Sequence, residues 1–348
     1  MSERCVLKVL DLFCGCGGLS LGLEQAGFDI ELGIDIWQDA LTTFKANHID
    51  SETHCQDLSE VNFDEVSNRY LPTGVDLIVG GPPCQGFSIS GKRDPDDPRN
   101  KLYTAFLKAV DHFKPKAFIM ENVPNLASMN QGKIRDTIVK EFESIGYTVS
   151  HRNLLASDFG VPQNRRRFIM VGLLGGDQFD FPSPTHMKNK ISCEQAISDL
   201  VESSIMDGAK YPLESQSLYQ AEMRVGSSGV FNHETTKHTE KTVSIISLVP
   251  DGGNYKALPD SLKGIRNVNI AWTRYNSQKP SLTIDTGHRH HFHYKFNRVP
   301  TVRESARLQS FPDKFVFLCS KTSQYKQVGN AVPPILGRVL GEQLKKHL

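Results

Sequence analysis

Residues 6–35 read VLKVLDLFCGCGGLSLGLEQAGFDIELGID, and the order of residue types in this stretch decides the fold. VLKVLDLF is an apolar run of strand length, CGCGG is a glycine-rich turn, LSLGLEQAG spaces its leucines as a helix does, and FDIELGID is a second strand-like run. A strand, tight turn, helix and strand in that order form a βαβ unit, the building block of a parallel sheet.

The turn offers backbone amides at a helix N-terminus, and Gly15, Gly17 and Gly18 let a nucleotide-like ligand come close to the main chain. Asp35, ending the second strand, is placed to accept hydrogen bonds from a ribose diol. A dinucleotide fingerprint would need a third glycine where Ser20 stands, so an NAD or FAD pyrophosphate is disfavoured. Asp11 adds a negative charge at the strand end, which suits a cationic, methionine-type moiety. A sulfonium-bearing nucleoside is the ligand these residues favour.

Outward from this unit the alternation continues. An amphipathic run spans Trp37–His48, VDLIVGG (75–81), AFIMENV (117–123) and RRFIMVGLL (166–174) read as strands, and a helix is expected from about Asn100 to Phe113. The fold class is therefore α/β, a Rossmann-like, mostly parallel sheet with helices on both faces. Between Gly175 and Asn297 proline, serine, asparagine and glycine become frequent, and only PSLTIDT (280–286) suggests a strand. We expect a catalytic and cofactor-binding domain over 1–174 and a smaller irregular domain over 175–297. Thr301 with Glu304 makes a capping box that opens a helix, and a last helix begins near Pro334.

Bulk properties narrow the class. The chain has 348 residues, 39% hydrophobic and 23% charged, with a formal charge of +1. A total near neutrality neither favours nor excludes nucleic acid, because a phosphate-binding face needs clustered cations. No apolar run reaches the roughly 18–20 residues of a membrane span. Seven scattered cysteines, without paired CxxC units or zinc-ligand spacing, fit a reducing cytoplasm and no metal.

One cysteine stands apart. VDLIVGGPPCQGFS puts Cys84 just past the carboxyl end of an apolar strand, where open α/β sheets bind ligands. Pro82 and Pro83 restrict the backbone leading into it, while Gly80, Gly81 and Gly86 permit close approach. A thiol held this way can act as a nucleophile toward an electron-poor ring carbon. The bland alternative, a small buried apolar residue, suits Cys5, Cys193 and Cys319 better.

FCGCGG (13–18), GGPPCQGFS (80–88), ENV (121–123), QNRRR (163–167), RESARLQSFPD (303–313) and GNAVPP (329–334), in this order, resemble the DNA cytosine-C5 methyltransferases of the prokaryotic type II modification kind. The resemblance covers nearly the whole chain outside the middle segment. It implies that Cys84 attacks C6 of a flipped cytosine, so that C5 takes a methyl group from S-adenosylmethionine. It implies that Glu121 contacts N3 and the exocyclic amine, best as a proton donor with a raised pKa, and that Arg167 binds O2. Arg165, two residues earlier, could share a strand face with Arg167, leaving Arg166 to solvent or phosphate.

For the cofactor, the family pattern assigns Phe13, Gly15 and Gly17 to the methionine side, Asp35 to the ribose, Ile36 to the adenine face, Asp57 to the adenine amine, and Leu102 and Asn330 to the pocket wall. Asp35 departs from the commoner glutamate, and either Ile36 or Trp37 could cover the ring. The resemblance also makes 298–348 a return to the catalytic domain, with the last helix beside the first strand. It makes 175–297 a target-recognition domain in which Thr283-Ile284 contacts DNA. DTGHRHHFHYKFNR (285–298) adds Arg289, Lys295 and Arg298 as candidates for phosphates or base edges. A metal held by His288, His290, His291 and His293 is the disfavoured rival. Double-stranded DNA is the expected partner of a monomer, with a cognate restriction endonuclease acting separately. A transfer-RNA methyltransferase and a non-catalytic DNA-binding paralogue are the alternatives.

Overall fold

The computed structural model describes residues 6–83, 101–263, 272–287 and 291–348. They form two compact units. The first takes the chain through Leu155, then Arg166–Ser183 and Leu336–Leu348; the second takes Ala156–Arg165 and Pro184–Ile335. The chain rejoins the first unit at Leu336, within the 298–348 stretch for which the resemblance implied a return.

In the first unit the elements run β1 (Lys8–Leu12), α1 (Gly18–Gln25), β2 (Asp29–Asp35), α2 (Gln38–Asn47), β3 (Glu52–Cys55), α3 (Phe63–Tyr70), β4 (Leu77–Gly80), α4 (Lys101–Phe113), β5 (Ala117–Asn122), α5 (Lys133–Ser144), β6 (Tyr147–Leu155) and β7 (Arg166–Leu174). The strands make one seven-stranded sheet in the order β3-β2-β1-β4-β5-β7-β6. β1 to β5 pair in parallel, and β7 runs antiparallel to both of its neighbours. The order steps outward from β1 to β3 and then restarts on the other side of β1 with β4. Between β1 and β4 the connections therefore diverge, and the crevice beyond the carboxyl ends of those strands is the place where open α/β sheets bind ligands.

Hydrophobic burial holds this arrangement. Leu10, Ile34, Ile78, Phe118 and Met170 supply adjacent strands to one core, and α4 lays Tyr103, Phe106 and Val110 onto it at helical spacing. Phe118 and Phe142 stack with ring centroids 4.1 Å apart, which fixes α5 over β5.

The second unit is irregular, with α6 (Cys193–Ile197), α7 (Leu218–Arg224), α8 (Glu240–Ser247), α9 (Asp260–Lys263), β8 (Thr273–Arg274), β9 (His291–Phe292), α10 (Val302–Leu308) and α11 (Lys321–Asn330). The strand expected over 280–286 does not form. Only Ser281 bridges, to Gln163, through backbone bonds with Pro162 and Asn164, and beyond it side-chain bonds at Thr283 and Ile284 hold the segment. The capping box at α10 is present: Glu304 N donates to Thr301 Oγ1 at 3.1 Å, and Thr301 N donates to Glu304 Oε2 at 2.7 Å. Buried ion pairs surround it. Arg307 grips Asp313 through two bonds of 2.8 and 2.7 Å and reaches Asp199 at 2.6 Å. Burial pushes the Asp313 carboxyl up, but the Arg307 guanidinium outweighs it and holds the group below its usual range. The RESARLQSFPD motif is thus the charged core of this unit.

The last helix, α12 (Pro334–Leu344), returns from Leu336 onward to the first unit. It lies on α1, the helix after the first strand. A Cβ on Gly337 would come 3.0 Å from the Leu19 carbonyl oxygen, and one on Gly341 would come 2.8 Å from Ala26 Cβ. Bare glycines let the two backbones approach where side chains would hold them apart. Among the described residues, no helix is long and apolar enough to cross a membrane.

Candidate active site

The turn after β1 is shaped by left-handed residues at alternate positions: Phe13 (φ 58°), Gly15 (φ 54°) and Gly17 (φ 89°). Such alternation turns successive amides toward a common concavity that favours anions. Here the protein provides the anion. Gly15 N donates to Asp35 Oδ2 and Trp37 N donates to Asp35 Oδ1, each at 2.9 Å. Asp35 thereby joins the turn to the start of α2 with a side chain one methylene shorter than glutamate. With the Gly15 amide already bonded to a carboxylate, the turn is poorly suited to a pyrophosphate.

Asp11 is buried beneath the turn and accepts a 2.5 Å bond from Ser20 Oγ. Burial pushes its carboxyl up to about 7; the Ser20 hydroxyl opposes this and the nearby Asp35 charge adds to it. Ser20 therefore does more than replace a fingerprint glycine, since it donates to a buried acid. That pairing was visible in the sequence as an acid at the strand end and a hydroxyl on the next helix, but the reading used Ser20 only as a missing glycine.

At the end of β2, Ile36 is 66% exposed, unusual for isoleucine, whereas Trp37 is partly covered as the residue that opens α2. Ile36 is thus the apolar surface on offer beside Asp35. Asp57, two residues past β3, accepts from Ser59 N at 2.9 Å through one carboxylate oxygen. Leu102 is partly buried in the first turn of α4.

The exits of β4 and β5 hold a second group. Glu121 pairs with Ile169 across β5 and β7, so Arg167, two residues before Ile169, lies diagonally on the same sheet face. Arg167 Nε meets Glu121 Oε1 at 2.5 Å, with both side chains largely buried (12% and 13% exposed). Gly81 leaves space beside this pair, because a Cβ there would come 3.0 Å from Glu121 Oε2. Asn122, unremarked in the sequence beyond its place in ENV, donates from Nδ2 to the Pro82 carbonyl at 2.8 Å in a buried bond. It ties β5 to the peptide that leads into Pro83. Cys84 itself lies outside the described residues.

In the second unit, Arg165 stands just before β7, and its carbonyl accepts from Ala156 N at 2.8 Å. Arg165 is buried and donates to the carbonyls of Ile284 (3.3 Å) and Gly329 (2.9 Å), the residue before the exposed Asn330. Gln163 Oε1 accepts from Ile284 N at 3.0 Å. Three motifs, QNRRR, Thr283-Ile284 and GNAVPP, are therefore bonded together. Ile284 is buried, which places its side chain in the interior rather than where base reading was expected, and Thr283 is the exposed member of the pair.

Arg298 is buried against Glu304 through bonds of 2.8 and 2.7 Å, so it is a structural cation and not a phosphate contact. His293 Nδ1 accepts from Lys295 N and Phe296 N, both at 3.0 Å, and burial pushes its pKa down to about 4 although Glu304 opposes this. His291 stacks on Tyr275. Arg289, His288 and His290 lie outside the described residues. Among the described residues, no cluster of histidine, cysteine and acidic side chains could hold a metal ion.

Comparison with known proteins bears on both units. The family described as C-5 cytosine-specific DNA methylase matches residues 7–346. Type II methyltransferase M1.HphI of Haemophilus parahaemolyticus is 39% identical over 344 residues, covering 98% of this chain and 87% of its own. Type II methyltransferase M.DdeI of Desulfomicrobium norvegicum is 36% identical, with 97% and 88% covered. A crystal structure described as a DNA modification methyltransferase encoded within an E. coli prophage superposes with a TM-score of 0.79 at 26% identity, covering 98% and 99% of the two chains. The fold is also that of DNMT2 from Spodoptera frugiperda, with a TM-score of 0.65 at 16% identity over 97% and 98%.

Proposed function

Because the chain belongs to the C-5 cytosine-specific DNA methylase family and is a DNA cytosine-5-methyltransferase, we propose that it methylates C5 of one cytosine in a specific double-stranded sequence. In this reading it acts in the cytoplasm as a monomeric modification enzyme of a restriction-modification pair. Its methyl donor is S-adenosylmethionine, and the target base is flipped out of the duplex so that groups in the plane of its ring can reach it.

The observation that carries this reading is the Glu121–Arg167 pair at the carboxyl edge of the sheet, next to the peptide that Asn122 holds. A carboxyl and a guanidinium on one face match the edge of a cytosine, with the guanidinium to O2 and the carboxyl to N3 and the amine. Substrate contact must then redistribute the existing ion pair. Cys84 adds its thiolate sulfur to C6, and the ring electrons move toward N3 and C5, where Glu121 stabilises them as a proton donor to N3. C5 would take the methyl group as the donor's sulfur–methyl bond breaks and leaves a neutral thioether; the C5 proton then passes to water as the Cys84 sulfur departs as thiolate, N3 returns its proton to Glu121, and the C5–C6 double bond is restored.

The residues of the β1 turn fit the donor. Gly15 has open space where a side chain would stand, Asp11 supplies a buried carboxyl for a cation, Ile36 an apolar face, and Asp57 a free acceptor geometry beyond its turn bond. When bound, the donor supplies an electrophilic methyl group on a sulfonium. Asp35 holds the turn in shape and is the proposed ribose-binding residue. In the second unit, Thr283 and Arg289 are the proposed DNA contacts, and Asn330 is the residue there that the family pattern assigns to the cofactor.

The test is methyl transfer to duplex DNA, with transfer RNA as a parallel substrate, followed by bisulfite sequencing. Cys84→Ala should abolish transfer while DNA and cofactor still bind, and duplex DNA carrying 5-fluorocytosine should trap a covalent complex with the unaltered chain. Normal methylation by Cys84→Ala removes the nucleophile from this scheme, and preference for RNA removes the substrate.

A further inference from the structure

One buried titratable group close to the glycine turn has no part in the chemistry above. His48, the residue that ends α2, sends its ring under the turn with no side-chain exposure and lies on Phe44 with ring centroids 4.3 Å apart. Its Nδ1 is 2.7 Å from Glu24 Oε1, on the last turn of α1, and its Nε2 is 3.2 Å from the Gly17 carbonyl oxygen. Both neighbours are acceptors. The ring is thus held from both nitrogens, by the last turn of α1 on one side and by the peptide that opens α1 on the other.

We infer that His48, held by Glu24, is a positioning residue for the cofactor turn, bracing the Gly17 peptide from below. The inference rests on the reading of this turn as the cofactor cradle.

The Gly17 carbonyl also accepts the first bond of α1, from Leu21 N at 2.9 Å, so this peptide is fixed from two directions. The brace leaves no room for a side chain at residue 17, where a Cβ would come 2.2 Å from His48 Nε2. His48 N in turn bonds the Phe44 carbonyl at 2.9 Å, so one ring joins the end of α2, the length of α1 and the start of α1. Gly15 and Phe13 lie just before the braced peptide, and their left-handed backbone keeps its shape only if the turn is anchored at both ends: Asp35 at Gly15, His48 at Gly17.

The experiment uses the full chain and S-adenosylhomocysteine as probe, with Glu24→Gln and His48→Gln as variants. Probe affinity measured by calorimetry should weaken roughly tenfold in each variant, as expected for loss of a charge-assisted bond. In methyl transfer the loss should fall mainly on the cofactor KM and less on kcat. Unchanged affinity in either variant overturns the inference while the cradle reading stands. If the unaltered chain does not bind the probe at all, the cradle reading fails and the inference with it.

Discussion

Two glycines of the same turn should fail in different ways. Both have positive φ, so replacing either with alanine puts a Cβ into the left-handed region at a cost of about 1–2 kcal/mol. At Gly15 nothing lies within 4 Å of the added carbon, so this strain is the whole cost to stability. At Gly17 the carbon would overlap the His48 ring at 2.2 Å and lie 2.8 Å from Phe44 Cδ2, both packed side chains. Overpacking of this kind adds about 1–3 kcal/mol, for a total near 2–5 kcal/mol. Function should rank them the other way in relative terms. Gly15→Ala should fold nearly as well as the parent yet lose cofactor affinity, because its methyl group points into the open space of the cradle. The chain has two tryptophans, Trp37 in the first unit and Trp272 in the second, so urea unfolding followed by fluorescence in a Trp272→Phe background reports the first unit alone. Calorimetric titration with S-adenosylhomocysteine gives the other axis. Equal destabilisation by the two alanines, or a larger effect at Gly15, would refute the placement of His48 under Gly17.

Three further outcomes are expected. Glu121→Gln and Arg167→Ala should each lower methyl transfer by about 10²–10⁴-fold with DNA and cofactor binding retained, and near-normal turnover by either would remove the ion pair from the chemistry. Asp11 is held at about 7 in the folded chain against an ordinary 3.8, so it keeps a proton that the unfolded chain loses; stability of the unliganded protein should therefore fall as pH rises from about 4 to about 7 and level off above. Asp11→Asn should flatten that slope in thermal unfolding, and an unchanged slope would assign it to other groups. Gly341→Val should cost about 1–3 kcal/mol by forcing α12 off α1, and a neutral result in chemical denaturation would show that the two helices are not in close contact.

The first unit was largely legible because its strands are apolar runs between glycine turns. β1, β2, β4, β5 and β7 and the helix α4 follow directly from that pattern. β3 and β6 were missed for a physical reason: they are the two edge strands, and ETHC and YTVSHRNLL carry the polar residues that a half-solvated edge tolerates. In the second unit, periodicity failed because the segment from Ser281 to Ile284 is held by Gln163, Asn164 and Arg165 across more than a hundred residues of sequence, a kind of bond with no local signature. Arg298 looked like a DNA contact because a basic residue in a basic stretch gives no sign of Glu304, its partner six residues on. Asn122 and Ser20 were each in view as members of a motif, but only the folded chain shows what each donates to.

Finally, the packing of α12 on α1 fixes an order of events during synthesis. Leu19, Leu23 and the small surface at Gly22 and Ala26 are made early, whereas the glycine face that covers them emerges only after Leu336. Until then the ribosome carries a nascent chain whose sheet strands are all present but whose first helix shows apolar surface to its surroundings. Slow translation late in the message, or a nonsense codon before position 336, should therefore expose the polypeptide to chaperones and aggregation.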